Sequence, residues 1–171
     1  MAMQPILTTE RLFLTESSEQ DASFYHQLMN TPGWLEHIGD RGIKTVQDAE
    51  KHIQDNIIPH YEKHGYGLFN MVLKSTMQPI GLCGMLKRDY LEAPDIGFAL
   101  LPAYGRQGYT YEAGIGVLEF AQNKLGADKI FAITSLENTA SQNLLVKLGL
   151  DSAGEITPQE ETIQLYQKNF H

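Results

Sequence analysis

The sequence predicts an α/β sandwich built on a mixed sheet flanked by helices. Two observations carry this. Three strand-like runs follow one another closely enough to pair as neighbours, and the chain then alternates strand, helix, strand, helix before a β-rich tail. No internal repeat, low-complexity stretch or Pro/Gly/Ser-rich linker interrupts this order, so one domain over residues 1–171 is the simplest organisation.

Residues 11–15 (Arg-Leu-Phe-Leu-Thr) read as the first strand. Ser18 followed by Asp21 is an N-cap with an acid three residues on, and Ala22, Tyr25, Leu28 and Met29 then recur at helical spacing. Pro32 and Gly33 are expected to end that helix. Thr45 with Asp48 is a second start signal; Ala49, Ile53 and Ile57 share a helical face, and Pro59 is expected to stop it. Residues 66–73 and 80–87, separated by turn formers, read as a hairpin. A loop over 88–94 leads to a strand over 95–101, stopped by Pro102. Residues 111–125 are helical, with Ala113, Val117, Phe120 and Ala121 on one face and Gly126 as the C-cap. A strand over 129–135, a helix over 138–148 with Leu144, Leu145 and Leu148 inward, and a tail of one or two more strands, foremost 161–170, complete the order.

The composition is that of a globular protein, 42% hydrophobic and 20% charged, with no apolar run long enough for a membrane helix. The first ten residues lack the basic start and apolar stretch of a signal peptide, and the single cysteine, Cys83, excludes an internal disulfide framework. A cytoplasmic location is the expectation. A net charge of −8 repels phosphate backbones, so nucleic acid is not an expected partner, nor is a membrane. The acidity suits a cationic partner such as an amine, and also plain solubility.

The most informative stretch is residues 102–113, Pro-Ala-Tyr-Gly-Arg-Gln-Gly-Tyr-Thr-Tyr-Glu-Ala. It leaves a strand, turns through Gly105 and Gly108, and enters a helix. Unpaired amides at a helix start, with the helix dipole, favour an anion such as a pyrophosphate, and Arg106 adds a cation. No Gly-Lys-Ser/Thr follows and there is no G-x-G-x-x-G, so a nucleoside triphosphate loop and a dinucleotide fold are not supported. About 30 residues further on, Asn138-Thr-Ala-Ser141 opens the next helix, Asn138 as N-cap and Ser141 near its start.

These two stretches resemble motifs A and B of the GNAT superfamily. In the first, Gly105 stands where the family has Arg or Gln, Arg106 follows one place later as if Arg-Gly were swapped, Gly108 sits on the central glycine, and Thr110 replaces Gly or Ala. In the second, Leu150 replaces the usual Phe. The opening Thr9-Glu-Arg-Leu-Phe-Leu14, the strand over 95–98 (Asp-Ile-Gly-Phe) and the Tyr109–Ala113 ending are similar to the RimJ/RimL-like subgroup, which acetylates ribosomal-protein N-termini. The resemblance runs from Leu7 to Leu150.

The resemblance implies a mostly antiparallel sheet whose parallel strands, 95–101 and 129–135, splay to admit acetyl-CoA. Phe98, Ala99 and Leu100 would bond the pantetheine arm; Gly105, Arg106, Gln107, Gly108, Tyr109 and Thr110 would wrap the pyrophosphate; Asn138 and Ser141 would also face the cofactor. It implies direct transfer of the acetyl group to an amine. A lysine amine has a pKa near ~10.4 and an α-amine near ~8, so a base must take a proton. Asp95 is assigned as that base, with Glu92 and Glu137 as lesser candidates and a strand-edge acid in water as the alternative reading. Leu145 occupies the position of the usual acid Tyr, so Ser141 is assigned as the acid. Trp34 and His37, with Glu36 and Asp40, and Tyr66 with Phe69 are expected around the acceptor, Trp34, Tyr66 and Phe69 being more readily read as core. No histidine spacing marks a metal site, and Cys83 reads as buried rather than nucleophilic. The acceptor is a protein N-terminus or a small amine, and a non-catalytic CoA-binding sensor is the reading from another class. Homodimers are common in the family, although nothing in the sequence marks an interface.

Overall fold

The structure, a computed structural model, describes residues 4–171. Residues 1–3, part of the N-terminal stretch that lacks a signal-peptide pattern, lie outside the described residues. The elements are β1 (Leu7–Thr8), β2 (Leu12–Glu16), α1 (Ala22–Leu28), α2 (Pro32–His37), α3 (Val46–His52), α4 (Ile58–His64), β3 (Leu68–Leu73), β4 (Gln78–Leu86), β5 (Asp95–Leu100), α5 (Tyr109–Asn123), β6 (Lys129–Ser135), α6 (Thr139–Lys147), β7 (Asp151–Ile156) and β8 (Ile163–Asn169). The strands form one sheet in the order β1-β2-β3-β4-β5-β6-β8-β7. Every neighbouring pair is antiparallel except β5 and β6. This is the mixed, mostly antiparallel sheet that the resemblance implied.

Alternation builds the core. Leu12 and Leu14 of β2 are fully buried on one face of the sheet, with Met71 of β3 and Cys83 of β4. Across them, α5 lays Ala113, Val117 and Ala121, four residues apart, against β4 and β5. Phe120, expected on that face, is only half-buried and meets Phe69 edge to face at 6.1 Å. A buried polar knot ties α1 to the sheet. Ser17 Oγ donates to Asn70 Oδ1 at 2.7 Å and lies 2.7 Å from the Tyr25 hydroxyl, while Asn70 donates to Asp21 at 3.0 Å.

Two prolines act differently from the expectation. Pro32 starts a helix rather than ending one: it sits at the first turn of α2 behind Thr31, where its missing N–H costs nothing. Pro59 does not stop its helix. The chain widens into a π turn over Ile53–Ile57, with the Ile58 N–H reaching back to the Ile53 carbonyl, and continues as α4 to His64. The wide turn accommodates a residue that has no N–H of its own. The first of these differences matters for the site, because α2 carries Trp34 and His37.

Candidate active site

The site begins where β5 and β6 part. Their register holds at one pair only, Asp95 opposite Phe131, with the Phe131 N–H donating to the Pro94 carbonyl at 2.9 Å. On its other edge β5 stays paired with β4 through Leu100. The edge of β5 beyond Asp95 that faces β6 therefore has no strand to bond, although unpaired backbone groups need a partner. The opening belongs to a cavity of about 920 Å³. Phe98, Ala99 and Leu100 line it from β5, and Thr134 lines it from β6.

At one end of the cavity the chain leaves β5 through a 3-10 turn, Pro102–Tyr104, and enters α5. Gly108, at φ +80°, is the N-cap, and no side chain caps this helix. The Glu112 N–H donates to the Gly108 carbonyl at 3.0 Å, so the amides of residues 109–111 precede the first helical bond. They sit at the positive end of a helix dipole, beside Arg106, which suits an anion. Arg106, Gly108, Tyr109 and Thr110 line the cavity. Gly105 and Gln107 do not, and the Gln107 carbonyl instead accepts a hydrogen bond from Arg11. Arg106 itself is held at φ +61°, in the left-handed region that a side chain disfavours.

Asp95 lies at the fork, 1% exposed and on the cavity wall. Its Oδ1 accepts from Arg88 Nε at 2.9 Å. Burial pushes its carboxyl up to about 6, with Arg88 pulling the other way. Such a group is mostly ionised at neutral pH yet more basic than an ordinary carboxylate. The lesser candidates stand elsewhere. Glu92 pairs with Lys129 at 3.3 Å on the surface, and Glu137 is exposed; neither lines the cavity. On the far wall, the Asn138 side chain caps α6 by accepting from the Ser141 N–H at 3.2 Å, and both residues face the cavity. Leu145 is buried beside them. Burial pushes the Cys83 thiol up to about 12, consistent with an inert core cysteine.

The helix α2 closes the remaining side. His37 Nδ1 lies 2.9 Å from Ser135 Oγ, which joins α2 to the end of β6, and Trp34 lines the cavity beside it. Tyr66, expected with them, lies off the cavity wall. It precedes β3, in the connection from α4, and is turned back against His60 and His64 at ring distances of 5.7 and 5.8 Å. Phe69 is 1% exposed and belongs to the core. Among the described residues, two buried side-chain polar atoms lack a hydrogen-bond partner, Trp34 Nε1 and Thr134 Oγ1, and both residues line this cavity. A buried polar atom left unpaired costs about 1–3 kcal/mol, so the pair points to a ligand with polar groups there. Thr134 was not singled out in the sequence, since a threonine in a strand carries no signal of its own. Arg88 was missed because its pairing with Asp95 depends on how the loop between β4 and β5 folds back.

Comparison with known proteins decides what the cleft belongs to. The family described as the acetyltransferase (GNAT) domain matches residues 11–151. The chain belongs to the GNAT acetyltransferase family. It is 27% identical over 154 residues to an uncharacterized N-acetyltransferase, YoaA, of Bacillus subtilis, covering 89% of this chain and 86% of that one. The fold is similar to an acetyltransferase from Agrobacterium tumefaciens, with a TM-score of 0.82 at 20% identity and coverage of 99% and 96%. It is also similar to RimL, a ribosomal L7/L12 alpha-N-protein acetyltransferase, with a TM-score of 0.84 at 14% identity and coverage of 99% and 96%. This GNAT protein is thus an N-acetyltransferase, an enzyme that moves acyl groups to amines, and members of its family draw them from acetyl-CoA. Among the described residues no cluster of His, Cys, Asp and Glu is arranged to hold a metal ion, and no helix is long and apolar enough to cross a membrane.

Proposed function

We propose that this enzyme acetylates the N-terminal α-amine of a protein or peptide, as a member of the RimJ/RimL-like subgroup, with acetyl-CoA as donor. The observation that carries the catalytic part is one cavity holding both an anion-ready helix start and a buried carboxylate at the fork of two parallel strands. The acceptor part is supported by the Thr-Glu-Arg-Leu opening and by the likeness to RimL. Three features fit the donor: the unpaired edge of β5, the free amides at the start of α5, and the orphaned Thr134 hydroxyl.

When bound, the donor supplies an acetyl thioester. The edge of β5 at Phe98, Ala99 and Leu100 holds its pantetheine arm as an added strand would, and a main-chain N–H there bonds the carbonyl oxygen as charge develops. Arg106, Gly108, Tyr109 and Thr110 hold the pyrophosphate; Gly105 and Gln107 shape the loop. Asn138 bonds the donor or an ordered water. Asp95 takes a proton from the attacking amine, directly or through a water, as the C–N bond forms. As the C–S bond breaks, Ser141 Oγ would pass a proton to the leaving thiolate and regain one from water, while Asp95 would release the amine's proton to solvent. Trp34 and His37 line the acceptor side, where an aromatic ring suits a cationic chain end.

The loop yields a prediction of opposite signs. Arg106→Gly relieves a left-handed arginine and removes a cation. The melting temperature should stay level or rise slightly, while KM for acetyl-CoA rises about 3–10-fold at nearly constant kcat. A matched fall in melting temperature and kcat would contradict it.

The proposal is tested by acetyl-CoA-dependent thiol release across peptides with varied N-termini, polyamines, amino acids and aminoglycosides, with mass analysis locating the acetyl group. Selective turnover on the α-amine of one peptide class is expected. Turnover confined to a small amine would replace the acceptor reading, and tight CoA binding without turnover on any amine would overturn it in favour of a sensor.

A further inference from the structure

The opening Thr9-Glu-Arg11 lies about a hundred positions from the start of α5 in sequence but meets it in the fold. Glu112, on the first turn of α5, receives three hydrogen bonds from this turn: one from the Thr9 hydroxyl, one from the Arg11 backbone N–H at 2.8 Å, and one from Arg11 Nε at 2.7 Å. Burial works against the Glu112 carboxylate, yet these donors together hold it below the usual carboxylate range. The turn is itself fixed to the end of β3, since Lys74 donates its backbone N–H to the Arg11 carbonyl at 2.9 Å and its ammonium to the Thr9 carbonyl at 2.6 Å. α5 approaches it closely at Gly116, where a Cβ would come within 2.9 Å of Leu7 and 3.3 Å of Thr9.

The rest of the Arg11 guanidinium grips the phosphate loop. Nη1 donates to the Gln107 carbonyl at 3.0 Å, and the guanidinium carbon sits 4.2 Å above the Tyr109 ring. Nη2 lies 3.4 Å from where a Cβ on Gly108 would stand. The consequence follows from peptide geometry. In a trans peptide the carbonyl of one residue and the N–H of the next point in opposite directions. Drawing the Gln107 carbonyl out to Arg11 therefore turns the Gly108 N–H the other way, and Gly108 lines the cavity. The loop has little else to hold this orientation: Arg106 and Gly108 are both left-handed, and no side chain caps the helix.

We propose that Arg11, clamped by Glu112, is a positioning residue for the donor's pyrophosphate: it fixes the Gln107–Gly108 peptide and the first turn of α5 so that their amides face the anion. This rests on the acetyl-CoA reading of the cleft and assigns a role to the opening strand that the sequence motif alone does not. A lysine cannot replace the arginine, because one point charge cannot bond Glu112, reach Gln107 and stack on Tyr109 together.

The test compares two donors on the wild type, Arg11→Ala, Arg11→Lys and Glu112→Gln: acetyl-CoA, and S-acetylpantetheine, which has the thioester but no pyrophosphate. Wild-type turnover with acetyl-CoA checks the underlying reading separately. For Arg11→Ala, KM for acetyl-CoA should rise about tenfold with kcat within about twofold, and the preference for acetyl-CoA over S-acetylpantetheine should fall about tenfold. Arg11→Lys, the milder change for folding, should recover less than half of the loss, and Glu112→Gln should lose about threefold. Equal losses with both donors, a fall in kcat alone, or full rescue by lysine would overturn the proposal and leave Arg11 a support of the fold.

Discussion

Asp95→Asn is expected to lower kcat for acetyl transfer by about 10²–10⁴-fold, with KM for acetyl-CoA within about twofold, because the change removes a proton acceptor and leaves the donor site untouched. Its effect on stability should run in the opposite direction. The folded carboxyl titrates at about 6, above the ordinary aspartate value of roughly 3.9. Between those values the folded state binds the proton that the unfolded state has released, so this group favours folding at low pH and loses that contribution as the pH rises through 6. Above that, the wild type holds a buried, ionised carboxylate that Arg88 only partly offsets, and Arg88, 29% exposed, can turn to water when its partner is removed. The asparagine variant is free of the cost. Relative to the wild type it should gain roughly 1–3 kcal/mol between about pH 5 and pH 8. Thermal melts at the two pH values, run beside the thiol-release assay, check both halves. A variant that is inactive and also less stable near pH 8 would mean that Asp95 is a structural partner of Arg88.

Gly108→Val should cripple donor binding. The backbone there is at φ +80°, costly for any side chain and most of all for a β-branched one. Space gives a second reason: a Cβ would already be in van der Waals contact with Arg11 Nη2 at 3.4 Å, so the further methyls of valine would press on the guanidinium. In the proposed donor site the anion must also approach this backbone closely. Together these should raise KM for acetyl-CoA by about 30–100-fold, and lower stability by about 1–2 kcal/mol. Gly108→Ala should fall between the two. Isothermal titration with CoA separates the binding loss from any change in kcat; unaltered CoA affinity in a folded valine variant would remove the loop from the donor site.

What could be read from the sequence was what short stretches encode. Asn138 caps α6, Gly108 opens α5, and the strand ending before Pro102 borders the cleft, because caps, left-handed turns and proline stops act within a few residues. The prolines of the N-terminal half were misread for a related reason. Thr31-Pro32 is a helix start as well as a helix stop, and the choice is made by what α2 packs against; Pro59 is absorbed by a π turn that has no sequence signature. Tyr66 reads as an acceptor-wall residue only if the strand begins with it; β3 begins at Leu68, and the ring turns to His60. The groups around the cleft are joined across the fold. Arg88 tunes Asp95, His37 meets Ser135, and Glu112 receives Arg11 from the opposite end of the chain. The opening motif was recognisable as a family phrase, but its physical reason appears only when β1, β2 and α5 are side by side.

The most direct test of the account is the pH dependence of kcat for acetyl-CoA-dependent acetylation of the best peptide acceptor, from roughly pH 5 to pH 8, for the wild type and Asp95→Asn. The wild-type rate should fall on the acid side with an apparent pKa near 6, where buried Asp95 takes up a proton, and the residual rate of the asparagine variant should lack that limb. The same limb in both proteins, or a wild-type profile with no titration near 6, would contradict Asp95 as the base in the cleft.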